Sequence, residues 1–197
     1  MRVPRIAIVG ATLVTLIGAT LLTSRQSFAQ RSGRLPKSIY IQAQAMGTSY
    51  QLGRQVSVNL IIQEYSTNDD QQALFGAFTE KGNEGLVNAL SKMKGKGRMQ
   101  ITGTLGYEVT YIKRFDLPDG STKIRMITDR PLRFGEAWSD SRSSDYNLSA
   151  AEIILSPNEK KNSGTLLPAC KFKINKKKEL EIELLQNPWK LVNVRRR

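Results

Sequence analysis

Residues 105–128 read Leu105-Gly-Tyr107-Glu-Val109-Thr-Tyr111-Ile-Lys-Arg-Phe-Asp-Leu117-Pro118-Asp119-Gly120-Ser121-Thr-Lys-Ile-Arg-Met-Ile-Thr128, and this stretch decides the fold class. Tyr107, Val109 and Tyr111 alternate with Glu108 and Thr110, the period of a strand with one buried face. Leu117-Pro118-Asp119-Gly120 places Pro and Gly where a tight turn needs them. Ser121 to Thr128 then returns, so a β-hairpin is expected over 105–128.

The same signature recurs on both sides. Upstream, Ile39, Ile41, Ala43 and Ala45 repeat every second residue, as do Val56, Val58, Leu60 and Ile62. Met99 to Thr102 is a short strand followed by turn or bulge glycines, Gly103 and Gly106. Downstream come Leu148–Leu155, Thr165–Ile174, Glu179–Leu185 and Leu191–Val194. About nine antiparallel strands with frequent turn signals predict a mainly β (α+β) chain, a barrel or a sandwich. No long repeat is present, which speaks against a solenoid.

One segment changes period. Ser66 to Asp70 is rich in helix-capping residues, with acids suited to the positive end of a helix. Ala73, Leu74, Ala77 and Phe78 follow at helical spacing, then Lys81 and Gly82 as a C-terminal charge and cap. Leu86, Val87, Leu90 and Met93 repeat the pattern after Asn83. The expectation is a two-helix hairpin over about 67–95, inserted between strands and packed on one face or end.

The chain has 197 residues, of which the first 29 read as a leader. Arg2 and Arg5 precede an uncharged run from Ile6 to Leu22, and Ser27-Phe28-Ala29 offers small residues for cleavage before Gln30. The 17-residue run is short for a membrane span, so a cleaved signal peptide is preferred to an uncleaved anchor. Gln30 to Lys37 is a polar, basic lead-in, and 38–197 is expected to be one domain. Exported, periplasmic or extracellular placement follows.

The charge is 30 Lys+Arg against 17 Asp+Glu, a formal +13. Arg2, Arg5 and Arg25 belong to the leader, so the remainder carries (30 − 3) − 17 = +10. Lys171 and Lys173 fall opposite Glu179, Glu181 and Glu183 across a hairpin, where they neutralise one another. Lys92 to Arg98, the lead-in and the Arg195-Arg196-Arg197 tail hold the rest. No aromatics interleave these basic runs as a base-stacking platform requires, so nucleic acid is disfavoured. An anionic envelope surface or a small hydrophobic or amphiphilic ligand suits this chain better.

With no histidine and one cysteine, Ser-His-Asp and Cys-His catalysis, His-ligated zinc and an intrachain disulfide are all excluded. Cys170 shares a strand face with Phe172 and Ile174, so it reads as a small buried hydrophobe. The densest run of functional side chains is Ile127 to Trp138, followed by Asp140, Arg142, Asp145 and Tyr146. Asp129 and Glu136 could serve as a general acid and base of a glycosidase-like hydrolase. Arg130, Arg133, Trp138, Asp145 and Tyr146 are the candidate binding residues around them. The plainer reading is that Asp129-Arg130-Pro131 ends a strand, with Asp129 capping the turn and Arg130 in an ion pair. Asp129, Asp140 and Asp145 match no calcium-loop spacing, so no metal and no cofactor are expected.

The combination ITDRPLRFGEAW, SDYNLSAAEIILS, GTLLPACKFKI and WKLVNV resembles an uncharacterised family of small exported bacterial proteins. The resemblance runs along nearly the whole chain after the leader. It implies export and a single β-rich domain, and it carries no activity. The reading that follows is a non-enzymatic ligand- or partner-binding β-domain of the cell envelope. The alternatives are a secreted hydrolase using Asp129 and Glu136, and a structural or adhesive envelope protein.

Overall fold

Alternating strands become a barrel because each contributes one apolar face and its sequence neighbour supplies the next edge. The computed structural model describes residues 38–133, 146–174, 180–185 and 187–197, all within one compact unit. The leader, the lead-in, Glu136, Trp138 and Asp145 lie outside the described residues. Ten strands are assigned among those described. They are β1 (Ile39–Met46), β2 (Gln55–Ile62), β3 (Gly97–Ile101), β4 (Tyr107–Val109) and β5 (Tyr111–Asp116). Then come β6 (Thr122–Thr128), β7 (Leu148–Leu155), β8 (Ser163–Ile174), β9 (Leu180–Leu184) and β10 (Trp189–Arg196).

The strand order is β4-β3-β2-β1-β10-β8-β7-β6-β5, and every pairing is antiparallel. The strands at the two ends of that order, β4 and β5, are separated in the chain by Thr110 alone. The sheet therefore curls until its two ends are halves of one bent strand, a nearly closed barrel. β9 and β10 run along the same edge of β8, opposite Cys170–Ile174 and Gly164–Leu166 respectively. Most strands thus pair with a sequence neighbour, and β1–β10 pairing joins the first to the last.

Two apolar clusters sort the strand faces. One draws on β1 to β8 and β10, with Ile41, Leu60, Met99, Ile112, Ile124 and Ile153 wholly buried. Because nearly every strand supplies it, this cluster is the barrel interior. The other joins Leu74, Phe78, Leu86 and Leu90 to Tyr111, Ile127, Leu148, Cys170 and Phe172. It lies on the outer wall, beneath the helix.

The hairpin expected over 105–128 is found from Tyr111 to Thr128, closing through Leu117 N–H to Ser121 O at 2.8 Å and Gly120 N–H to Leu117 O at 3.0 Å, whereas Tyr107–Val109 pairs with β3 instead. The expected two-helix hairpin is corrected to one helical element, α1 (Asn68–Lys92). It is kinked where Lys81 and Gly82 leave helical dihedrals, Gly82 at φ 58°, a region open mainly to glycine. Its start is a capping box, with Thr67 N–H on Asp70 Oδ2 at 2.8 Å and Asp70 N–H on Thr67 Oγ1 at 3.1 Å. Among the described residues no helix is long and apolar enough to cross a membrane.

Lys96, within the basic run Lys92 to Arg98, is not a surface charge. Its side chain is buried, with Nζ 3.2 Å from Asp70 Oδ2 and 3.5 Å from Glu64 Oε1. Its backbone joins β2 to the β4–β5 bend, accepting from Gln63 and Glu64 N–H and donating to Val109 O. The β8–β9 hairpin has the expected pairing, Lys171 opposite Glu183 and Lys173 opposite Glu181.

Candidate functional site

The segment singled out in the sequence begins where β6 ends. The Thr128 and Ser149 hydroxyls hydrogen-bond each other at 2.6 Å in the wholly buried floor, and the one whose proton is left over donates to the Arg130 carbonyl, which lies within reach of both. That bond turns the chain across the barrel opening. Leu132 then drops into the interior cluster, its N–H on Pro168 O at 2.8 Å. Tyr107 Oη fastens the next residue by donating to Arg133 O (2.8 Å) and accepting from Arg133 N–H (2.9 Å). The segment is a plug.

Asp129, Arg130 and Arg133 line one cleft of about 420 Å³ with Tyr107 and Pro131. Arg130 grips both oxygens of Asp129, Nε to Oδ1 at 2.9 Å and Nη2 to Oδ2 at 3.1 Å. The hydrogen bonds it donates to Asp129, and then the Asp129 charge, push the Arg130 guanidinium above its ordinary value. This is the geometry of a fixed two-pronged ion pair. Tyr146 is held by the β8–β9 hairpin, its Oη donating to Glu183 Oε1 at 2.7 Å and its ring 4.7 Å from Lys171 Nζ.

A second cleft, not anticipated from sequence, opens between α1 and the outer wall. Its volume is about 640 Å³, inside the usual range for small-molecule sites. Leu74, Phe78, Tyr111, Ile127 and Phe172 form an apolar floor, and Phe75, 65% exposed, stands at the rim. Asn68, Gln71 and Gln72 bring amides to the same rim, and Arg125 bounds the far side. Arg125 is not a free charge. Its Nε and Nη2 both reach Glu152 Oε2, at 3.1 and 2.8 Å, and its guanidinium sits 5.8 Å from the Phe115 ring centre. Burial raises the Glu152 carboxyl, but the bonds and charges of Arg125 and Lys123 more than offset it and leave it below the ordinary value.

Two polar clamps hold the cleft open. Asn83, at the kink, behaves like a neighbouring strand: its Oδ1 accepts from Phe172 N–H at 2.7 Å and its Nδ2 donates to Phe172 O at 2.5 Å. β7 pairs with β8 only as far as Cys170, so Asn83 satisfies the peptide just beyond. At the other side Ser66 does the same for β5, its N–H on Ile112 O (2.7 Å) and its Oγ accepting from Ile112 N–H (2.9 Å). A signal for this cleft did exist in the sequence. Tyr111-Ile112 and Met126-Ile127 put apolar side chains on both faces of the hairpin, which a strand wet on one side does not do.

Among the described residues no cluster of acids or cysteine could hold a metal ion. Cys170 lies buried beneath the helix, where burial pushes its thiol up to about 12. Compared with protein families, curated proteins and solved structures, the chain matches none.

Proposed function

We propose that this is an exported envelope protein, of the small bacterial kind its sequence resembles, that binds a small amphiphile in the cleft between α1 and the barrel wall. The observation that carries the reading is the cleft itself, with an apolar floor large enough for a small molecule and an amide rim. The barrel interior is filled by its own side chains, so the outer cleft is the better host. The Arg125 charge is matched by Glu152, and the remaining rim groups are neutral amides. The ligand head is therefore an uncharged hydrogen-bonding group, with its apolar body against Leu74, Phe78 and Ile127. Asp129 and Arg130 are assigned to the plug rather than to hydrolysis, since both carboxylate oxygens are taken up by the guanidinium.

Gly76 supplies the test. It lines the cleft, sits within α1, and a Cβ added there would meet no atom within 4 Å. Gly76→Leu adds a bulky side chain at the cleft edge and favours the helix by roughly 0.8 kcal/mol. An uncharged naphthylamine dye should bind the wild-type chain saturably and be excluded from the variant, with Tm equal or higher. Dye binding unaltered by Gly76→Leu would remove the cleft as the binding site.

A further inference from the structure

The two ends of the described barrel chain emerge together. Ile41 in β1 lies opposite Arg196 in β10, and Arg197 N–H donates to Tyr40 O at 2.8 Å. The β5–β6 turn and the β7–β8 connection open at this same barrel end, because Thr122 is paired with both Asp116 and Leu155. These elements present Arg114, Lys160, Lys161, Arg195, Arg196 and Arg197, all exposed.

The acids here are fewer, and most are engaged. Arg114 binds Asp116 through Nε and Nη2, Asp119 accepts from Ser121 within its own turn, and Glu64 is beside Lys96. Glu159 remains. Among the described residues no carboxylate pairs with Arg196, Lys160 or Lys161.

At the centre of this end lies a cleft of about 310 Å³. Arg196 stands on its wall with Glu159 and the Asp116-bound Arg114, and Ile39, Ile124 and Leu155 give it an apolar floor. Guanidinium groups bind phosphate oxygens through parallel N–H groups. A free phosphate would leave the apolar floor uncovered. A phospholipid headgroup uses both, placing its phosphate on Arg196 and its glycerol end on the isoleucines and Leu155.

We propose that this barrel end docks on an anionic phospholipid surface, with one headgroup phosphate seated on Arg196. The surrounding lysines and arginines supply the general attraction, each strengthening partition roughly five-fold. The inference stands apart from the amphiphile cleft, which lies on the outer wall.

The experiment is flotation of the full chain with phosphatidylcholine vesicles, with and without phosphatidylglycerol. Arg195→Gln with Arg196→Gln should lower partition onto the anionic vesicles about twenty-five-fold, two cations at roughly five-fold each. Partition onto neutral vesicles should stay at the wild-type level. Arg54→Gln with Lys190→Gln removes the same charge from the opposite end, beside Met46 and Gln55, and should change partition less than about two-fold if the face matters and not merely net charge. Equal losses from the two pairs would overturn the assignment of the face. Unchanged vesicle binding with lost heparin retention would make the partner a soluble polyanion and overturn the lipid. If the first pair fails to fold, Arg196→Gln alone should still show about a five-fold loss, and no loss would overturn the proposal.

Discussion

Lys96 ties itself to three other pieces of chain with one side chain and one peptide. The ammonium faces Asp70 of the helix cap and Glu64 after β2, and the peptide bridges β2 to the β4–β5 bend. Burial raises the Asp70 carboxyl, yet Thr67 N–H, Lys96 and the Thr67 hydroxyl together bring it below its ordinary value. A double-mutant cycle of Lys96→Met and Asp70→Asn should give a coupling of about 1 kcal/mol by urea denaturation; a value near zero would reduce Lys96 to packing. Next to it, Gly97 admits no side chain, since a Cβ would lie 2.2 Å from Ile61 O and 2.7 Å from Ile112 Cδ1. Gly97→Ala should cost about 1–3 kcal/mol through forced displacement of the β2 backbone. Thr110, in the bend, is the opposite case: its buried Oγ1 has no hydrogen-bond partner among the described residues. Thr110→Val should be neutral or stabilise by up to about 1 kcal/mol. None of these three roles shows in local sequence, because Lys92 to Arg98 has the composition of a wet loop and only distant strands close over it. Cys170 was legible, since its alternation with Lys171 and Lys173 gives its face directly.

At the scale of elements, local period served well for strands and less well for what covers them. The β5–β6 hairpin and the Thr67 cap fall where alternation, turn residues and capping residues put them. The helical region shows a limit of that method. Lys81-Gly82 reads as a terminus followed by a new start, and the backbone does leave helical values there, but helical structure resumes at once in the same element. Asn83 explains why the kink falls at that point, because its amide must reach the Phe172 peptide across the helix–barrel boundary. Asn83→Ala removes both bonds and leaves a part-buried strand peptide unpaired, so it should cost about 1–3 kcal/mol. Hydrogen exchange at Phe172 N–H is the direct check, and protection equal to wild type would show that another group caps the edge. Tertiary satisfaction of one strand edge is invisible to a window of a dozen residues.

For the whole molecule, the ring closure depends on β1–β10 pairing, whose partners are the first and last strands of the chain. Alternation identifies both strands but says nothing of their meeting, so barrel and sandwich stay equivalent until the order is seen. Stability against pH is likewise a property of the assembled surface. Asp70 and Glu152 have folded values held below their ordinary 3.8 and 4.5. A depressed carboxyl contributes stability above its unfolded value and loses it as pH falls through the folded one. Unfolding free energy should therefore hold steady down to about pH 5 and decline below roughly 4.5. Replacing Lys96 and Arg125 by Met should flatten that decline, and a stability curve with the same slope in both proteins would refute the assignment.

The antiparallel pairing of β1 with β10 also sets how the domain answers to force. Both chain ends leave from one barrel end, so a pull that separates them acts across the β1–β10 ladder rather than along it. Its rungs then break one after another, from Ile41–Arg196 toward Met46–Lys190, instead of sharing the load. A domain tethered at one terminus and pulled at the other would open like a zipper along this seam while the remaining pairings were still intact.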